Sequence, residues 1–132
     1  MKFISLLLIG ALISWLALKN ISQPGIPPYP GNYIVHTVLF RFADNATETQ
    51  VSQLMAAVGT LKTKIPGIME VAFGKNFSVR SKGFTHAVNI SFQDSAALNI
   101  FYKHPDHQKL IQDYIKPIMA NMIVVDYKNE SK

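Results

Sequence analysis

From Tyr33 to Lys128 the apolar residues recur at every second position, then at every third or fourth, and then switch back, a succession that leaves few folds open. Tyr33–Phe42 (YIVHTVLFRF) is β-branched and aromatic, with positions 36, 38, 40 and 42 on one face of a strand. Thr47 stands three residues before Gln50 as a capping box, and Val51, Leu54, Met55, Val58, Leu61 and Ile65 follow at helical spacing until Pro66-Gly67 stops the helix. Ile68–Ser78 and Phe84–Gln93 read as a hairpin around the basic loop Val79–Gly83. Asp94 or Ser95 caps a second helix through Tyr102, which breaks at His104-Pro105, restarts with proline at its first position and ends near Pro117. Ala120–Lys128 is the last strand. The order β-α-β-β-α-β predicts an α+β, ferredoxin-like protomer, a four-stranded antiparallel sheet with both helices on one face. The other face, with Val35, Leu39 and Ile123 or Val125, would lie bare, and a homodimer packed sheet against sheet covers it.

Ahead of this domain, Phe3–Leu18 (FISLLLIGALISWLAL) carries no charge. Its length suits a signal-peptide hydrophobic region and falls slightly short of the roughly 20 residues of a spanning helix. Leu16, Leu18 or Lys19 fills the positions where cleavage wants small residues, which favours an uncleaved anchor, and Trp15 suits a membrane interface. Gln23–Gly31 (QPGIPPYPG) bars helix and discourages sheet pairing. The predicted organisation is a hydrophobic helix over 1–19 acting as membrane anchor or signal peptide, a linker over 20–32, the domain over 33–128 and a tail over 129–132. The protein is then membrane-anchored, or exported if the segment is cleaved.

Composition narrows the chemistry. The absence of cysteine excludes a disulfide framework, a thiolate nucleophile and a zinc ribbon. A net charge of +5 comes from basic residues spread too thinly to indicate a nucleic-acid partner. Gly-rich phosphate loops, serine elbows and readable carboxylate pairs are missing. Four histidines remain. His36 shares a strand face with Val38, Phe40 and Phe42, and His86 shares one with Val88, Ile90 and Phe92, so both are expected to face the helices. His107 is in phase with Leu110, Ile111, Tyr114, Ile115 and Ile118 and also points inward. Near a helix N-terminus and in apolar surroundings it stays neutral, and a neutral imidazole in a greasy pocket can act as general base. Antiparallel pairing puts His36 and His86 toward opposite ends of the sheet. No metal site is expected: His104 precedes the helix that carries His107, no carboxylate pattern completes a shell, and His104 reads as a turn or capping residue. Lys75, Arg80 and Lys82 suit an anionic substrate or lipid headgroups, or simply a solvated loop.

Several short segments taken together resemble the stress-responsive dimeric α/β-barrel (Dabb) family. They are His36-x-Val-Leu-Phe, Pro66-Gly67, Phe73-Gly74-Lys75-Asn76, Gly83-Phe84-Thr85-His86, His104-Pro105-Asp106-His107 and Val124-Val125-Asp126-Tyr127. The resemblance implies a dimeric α/β barrel and, by analogy with cofactor-free cyclases of the family, aldol ring closure of a polyketide-like ligand. It assigns His107 as base and places His36 and His86 in the pocket. The family's catalytic tyrosine position is Phe101 here, and Tyr102 next door is turned by about 100° on a helix, so the hydroxyl is missing or must come from elsewhere, such as Tyr114. Three readings follow: a cofactor-independent lyase, cyclase or isomerase with a small hydrophobic-ligand pocket; a non-catalytic binding or stress-protective dimer; and a haem-handling protein.

Overall fold

The computed structural model describes residues 31–130. The expected hydrophobic helix over 1–19 and nearly all of the linker lie outside them. Among the described residues no helix is long and apolar enough to cross a membrane.

The chain forms β1 (Ile34–Phe42), α1 (Glu48–Gly59), α2 (Leu61–Lys64), β2 (Ile68–Lys75), β3 (His86–Phe92), α3 (Ser95–Lys103), α4 (Pro105–Leu110), a π-helical turn (Ile111–Ile115) and β4 (Met119–Lys128). The strands make one antiparallel sheet in the order β2-β3-β1-β4, the ferredoxin-like arrangement expected from the sequence. Inward positions of β1 and β3, Ile34, Val38, Phe40, Val88, Ile90 and Phe92, pack against Leu54, Val58, Leu61, Phe101, Leu110 and Ile115 of the helix layer in one core. Ile123, Val125 and Tyr127 on the opposite face are 43–49% exposed, whereas Val35 on that face is buried.

Local chemistry sets the element ends. Thr47 and Gln50 close the capping box on α1. The first helix is broken at Thr60, where the sequence suggests a continuous one, because the Thr60 and Thr63 hydroxyls bond back to the carbonyls of Ala57 and Thr60. β2 stops at Lys75, short of Ser78, because the Asn76 side chain takes over the bonding. Its Nδ2 donates to the Phe84 carbonyl, and its Oδ1 accepts from the Ser78 amide. Asp94 caps α3, and His104 caps α4, its Nδ1 accepting from the Asp106 amide at 3.2 Å.

Past Leu110 the helix widens, and the Lys116 amide bonds the Ile111 carbonyl five residues back. That single wide turn delays the side-chain phase. Tyr114, in step with His107 on an ideal helix, is only half-buried against the core.

Gly67 joins the turn after α2 to the helix layer. Its φ is +85°, and a Cβ there would lie 2.5 Å from that of Ala97 on α3. Gly67→Ala combines left-handed strain with overpacking and is expected to cost about 3 kcal/mol, read as a shift in the urea unfolding midpoint at constant slope.

Candidate functional site

A cavity of about 210 Å³ lies between sheet and helices. His36, Val38, Phe40, Val88 and Ile90 make its floor, and Phe101, Tyr102, His107, Leu110, Ile111 and Ile115 its roof. Gln108, Met122 and Val124 are its solvent-exposed members, so the cavity opens along the β4 edge of the sheet.

His36 on β1 is directly opposite Asp126 on β4. The register puts the imidazole against the carboxylate, with Nδ1 to Oδ1 at 2.6 Å. The Tyr102 hydroxyl donates to the other carboxylate oxygen at 2.5 Å and lies 3.3 Å from His36 Nδ1. Asp126 thus ties an aromatic hydroxyl to an imidazole at the cavity wall. Burial, and then the bond to Asp126 and its charge, push the Tyr102 hydroxyl well above its ordinary pKa, so it keeps its proton. Tyr102 is one residue beyond Phe101, and the helical turn of about 100° per residue rotates its Cβ off the core face. The length of the tyrosine restores the reach, and its ring centre is 5.7 Å from His36 and 5.9 Å from His107.

His107 on the first turn of α4 packs on Phe101, ring centres 4.0 Å apart. It is 8% exposed, and its Nδ1 is buried without a hydrogen-bond partner. Burial lowers its pKa, the Tyr102 carbonyl beside it raises it, and nearby His36 lowers it again, for a net decrease. The ring is neutral at pH 7. With Nδ1 unpartnered, the tautomer that carries its hydrogen on Nε2 leaves Nδ1 as a lone pair.

The structure brings together His36, Phe101 and His107, as the sequence suggests, and corrects two placements. His86 is opposite Phe40, four residues along the ladder from the partner of His36. It does not line the cavity: its ring lies 5.3 Å from Phe42, with Nδ1 3.0 Å from the Thr85 hydroxyl. Burial and the Lys75 charge lower its pKa. Tyr114 lines not this cavity but an open groove between α1–α2 and α4, with Gln53, Lys64, Asp106 and Lys109. The hydroxyl at the cavity is that of Tyr102. The sequence argues against Tyr102 by the direction of its Cβ, and it shows Asp126 only as part of the last-strand motif, with no role in the site. The readable signal for Asp126 is a carboxylate in the β4 alternation on the same face as Met122 and Val124. Among the described residues no three His, Asp or Glu side chains are grouped to hold a metal ion.

The sequence of the stress responsive A/B barrel domain family matches residues 34–129. Olivetolic acid cyclase of Cannabis sativa is 25% identical over 96 residues, covering 71% of this chain and 94% of that protein. The hydroxynitrile lyase of Passiflora edulis superposes with a TM-score of 0.70 at 25% identity, over 78% of this chain and 99% of the other. A dimeric ferredoxin-like protein of unknown function from Thermobifida fusca gives 0.65 at 28% identity, over 75% and 92%. In both solved structures this domain alone makes up nearly the whole folded chain.

The lowered pKa of His107 makes a signed prediction. Above its ordinary value of 6.5 folded and unfolded chains are both neutral there. Below it the unfolded chain takes up a proton that the buried ring refuses, so stability falls with acidity, and His86 adds to the slope. His107→Phe is expected to flatten the loss of unfolding free energy between about pH 7 and 5, measured by urea titration at several pH values. An unchanged slope contradicts the assignment.

Proposed function

The chain belongs to the stress responsive A/B barrel domain family, and on that premise we propose that it is a cofactor-independent lyase, cyclase or isomerase for a small hydrophobic carbonyl compound, with His107 as general base. One observation carries the reading: a buried, unpartnered imidazole nitrogen in the wall of an apolar cavity, close to a hydrogen-bonded Tyr102–Asp126–His36 group. A neutral base in low dielectric takes a proton readily from an activated carbon or a hydroxyl, because water does not compete for its lone pair. Nδ1 of His107 accepts the proton, and the electron pair left behind moves onto the carbonyl oxygen or expels the leaving group. Tyr102, kept protonated, swings its hydroxyl from Asp126 to donate to that oxygen, while Asp126 stays bonded to His36. The proton then returns from His107 to the product. The likeness to a cyclase and a hydroxynitrile lyase supports this class of chemistry.

A homodimer fits the same reading. The similar Thermobifida fusca protein is dimeric, and the sheet face bearing Ile123, Val125 and Tyr127 is apolar and exposed. The uncharged run Phe3–Leu18 supports attachment of the domain to a bilayer, or its export if the run is removed.

Deuterium wash-in at the carbon beside the carbonyl of phenylacetone, followed by NMR in heavy water, reads base catalysis directly, and mandelonitrile cleavage reads the lyase branch. His107→Ala is expected to lower exchange at least about 100-fold with the circular dichroism spectrum unchanged, and Tyr102→Phe to lower it about 10-fold or more. Exchange that persists in His107→Ala removes the proposal.

A further inference from the structure

Residues 76–85, joining β2 to β3, carry side chains that the fold leaves unused. Phe77 is 97% exposed and Val79 102%, the most exposed large apolar side chains among the described residues. The loop is braced. Besides the two Asn76 side-chain bonds, the Arg80 amide bonds the Ser78 hydroxyl at 3.1 Å, the Phe84 amide bonds the Ser81 carbonyl at 3.0 Å, and the Thr85 amide bonds the Phe40 carbonyl at 2.9 Å. Lys82 and Gly83 turn the chain back with φ of 51° and 83°. The backbone that presents these two apolar prongs is therefore held in place.

The charges that the loop itself carries have one sign. Between Glu70 and Asp94 the chain contains no acidic residue, while Lys75, Arg80 and Lys82 are exposed. Arg41, at the adjoining end of β1, has its guanidinium carbon 5.8 Å from the centre of the Phe84 ring. Among the described residues no carboxylate pairs with any of these four. Apolar prongs set in a positive field match the interface of an anionic bilayer, where the prongs enter the acyl boundary and the cations meet phosphates. The same chain carries the uncharged run Phe3–Leu18. Ile34 is opposite Phe92, at the far end of the sheet from the loop, and the β1 segment from Ile34 to Phe40 spans about 20 Å. Residues 20–32 can reach roughly 40 Å when extended, enough for one bilayer to meet both that run and the loop.

We propose that the β2–β3 loop is a membrane-docking element that inserts Phe77 and Val79 into an anionic bilayer while Arg41, Lys75, Arg80 and Lys82 bind headgroup phosphates. The test uses residues 31–132, a domain that makes up nearly the whole chain in solved relatives. This piece contains no tryptophan, since the single one is Trp15, so F77W is a lone probe. The domain is expected to sediment with vesicles of equimolar phosphatidylglycerol and phosphatidylcholine and to stay in solution with phosphatidylcholine alone. Emission of F77W shifts to the blue and is quenched by brominated acyl chains. Arg80→Gln with Lys82→Gln weakens binding about 30-fold, at about fivefold for each cation removed. Phe77→Ser with Val79→Ser abolishes it at unchanged Tm. Failure to bind the anionic vesicles, or binding undiminished in the double serine variant, overturns the proposal. So does a double serine variant that falls to monomer mass by light scattering, which would assign the prongs to a second copy of the chain.

Discussion

An imidazole buried between a sheet and a helix layer must either be paired or give up its charge, because low dielectric penalises an isolated ion by several kcal/mol. The two buried histidines meet this constraint in opposite ways. His36 is paired, because the β1–β4 register brings Asp126 across from it. His107 gives up its charge, on a helix start and under Phe101, where nothing bonds its Nδ1. The cavity between them therefore has a polar, hydrogen-bonded end and a neutral, basic end. That asymmetry is what acid–base chemistry on a greasy substrate needs.

β4 ties the site to the rest of the fold. One strand supplies Asp126 to the polar group, Met122 and Val124 to the cavity mouth, and Ile123, Val125 and Tyr127 to the opposite face. Because side chains alternate along a strand, a slip of one residue in the β1–β4 register would exchange these sets. Asp126 would turn away from His36 to the opposite face and an apolar residue would take its place. The register that pairs the strands is the one that builds the polar end of the site.

The strand and helix order was legible because period, caps and breakers agree along most of the chain: Thr47 with Gln50, Pro66-Gly67 and His104-Pro105 all lie at observed boundaries. His36 and His107 were legible as inward residues for the same reason. Legibility failed where a side chain competes with the backbone or where geometry departs from the ideal helix. Thr60 splits the first helix through its own hydroxyl, and Asn76 ends β2 early. At Tyr102 the direction of the Cβ points away from the core face, yet the reach of the ring decides where the hydroxyl goes. Asp126 acquires its role from a partner 90 residues away, which no local pattern displays.

The π-turn at Ile111–Ile115 has a consequence for how such a site can change. A helix with one extra residue wound into it has two side-chain alignments in reach of a single codon. Loss of one residue within the turn would restore ordinary winding and rotate the following side chains, bringing a different set to the roof of the chamber at one stroke. A lineage could in this way refit the chamber for a new guest without altering its two histidines.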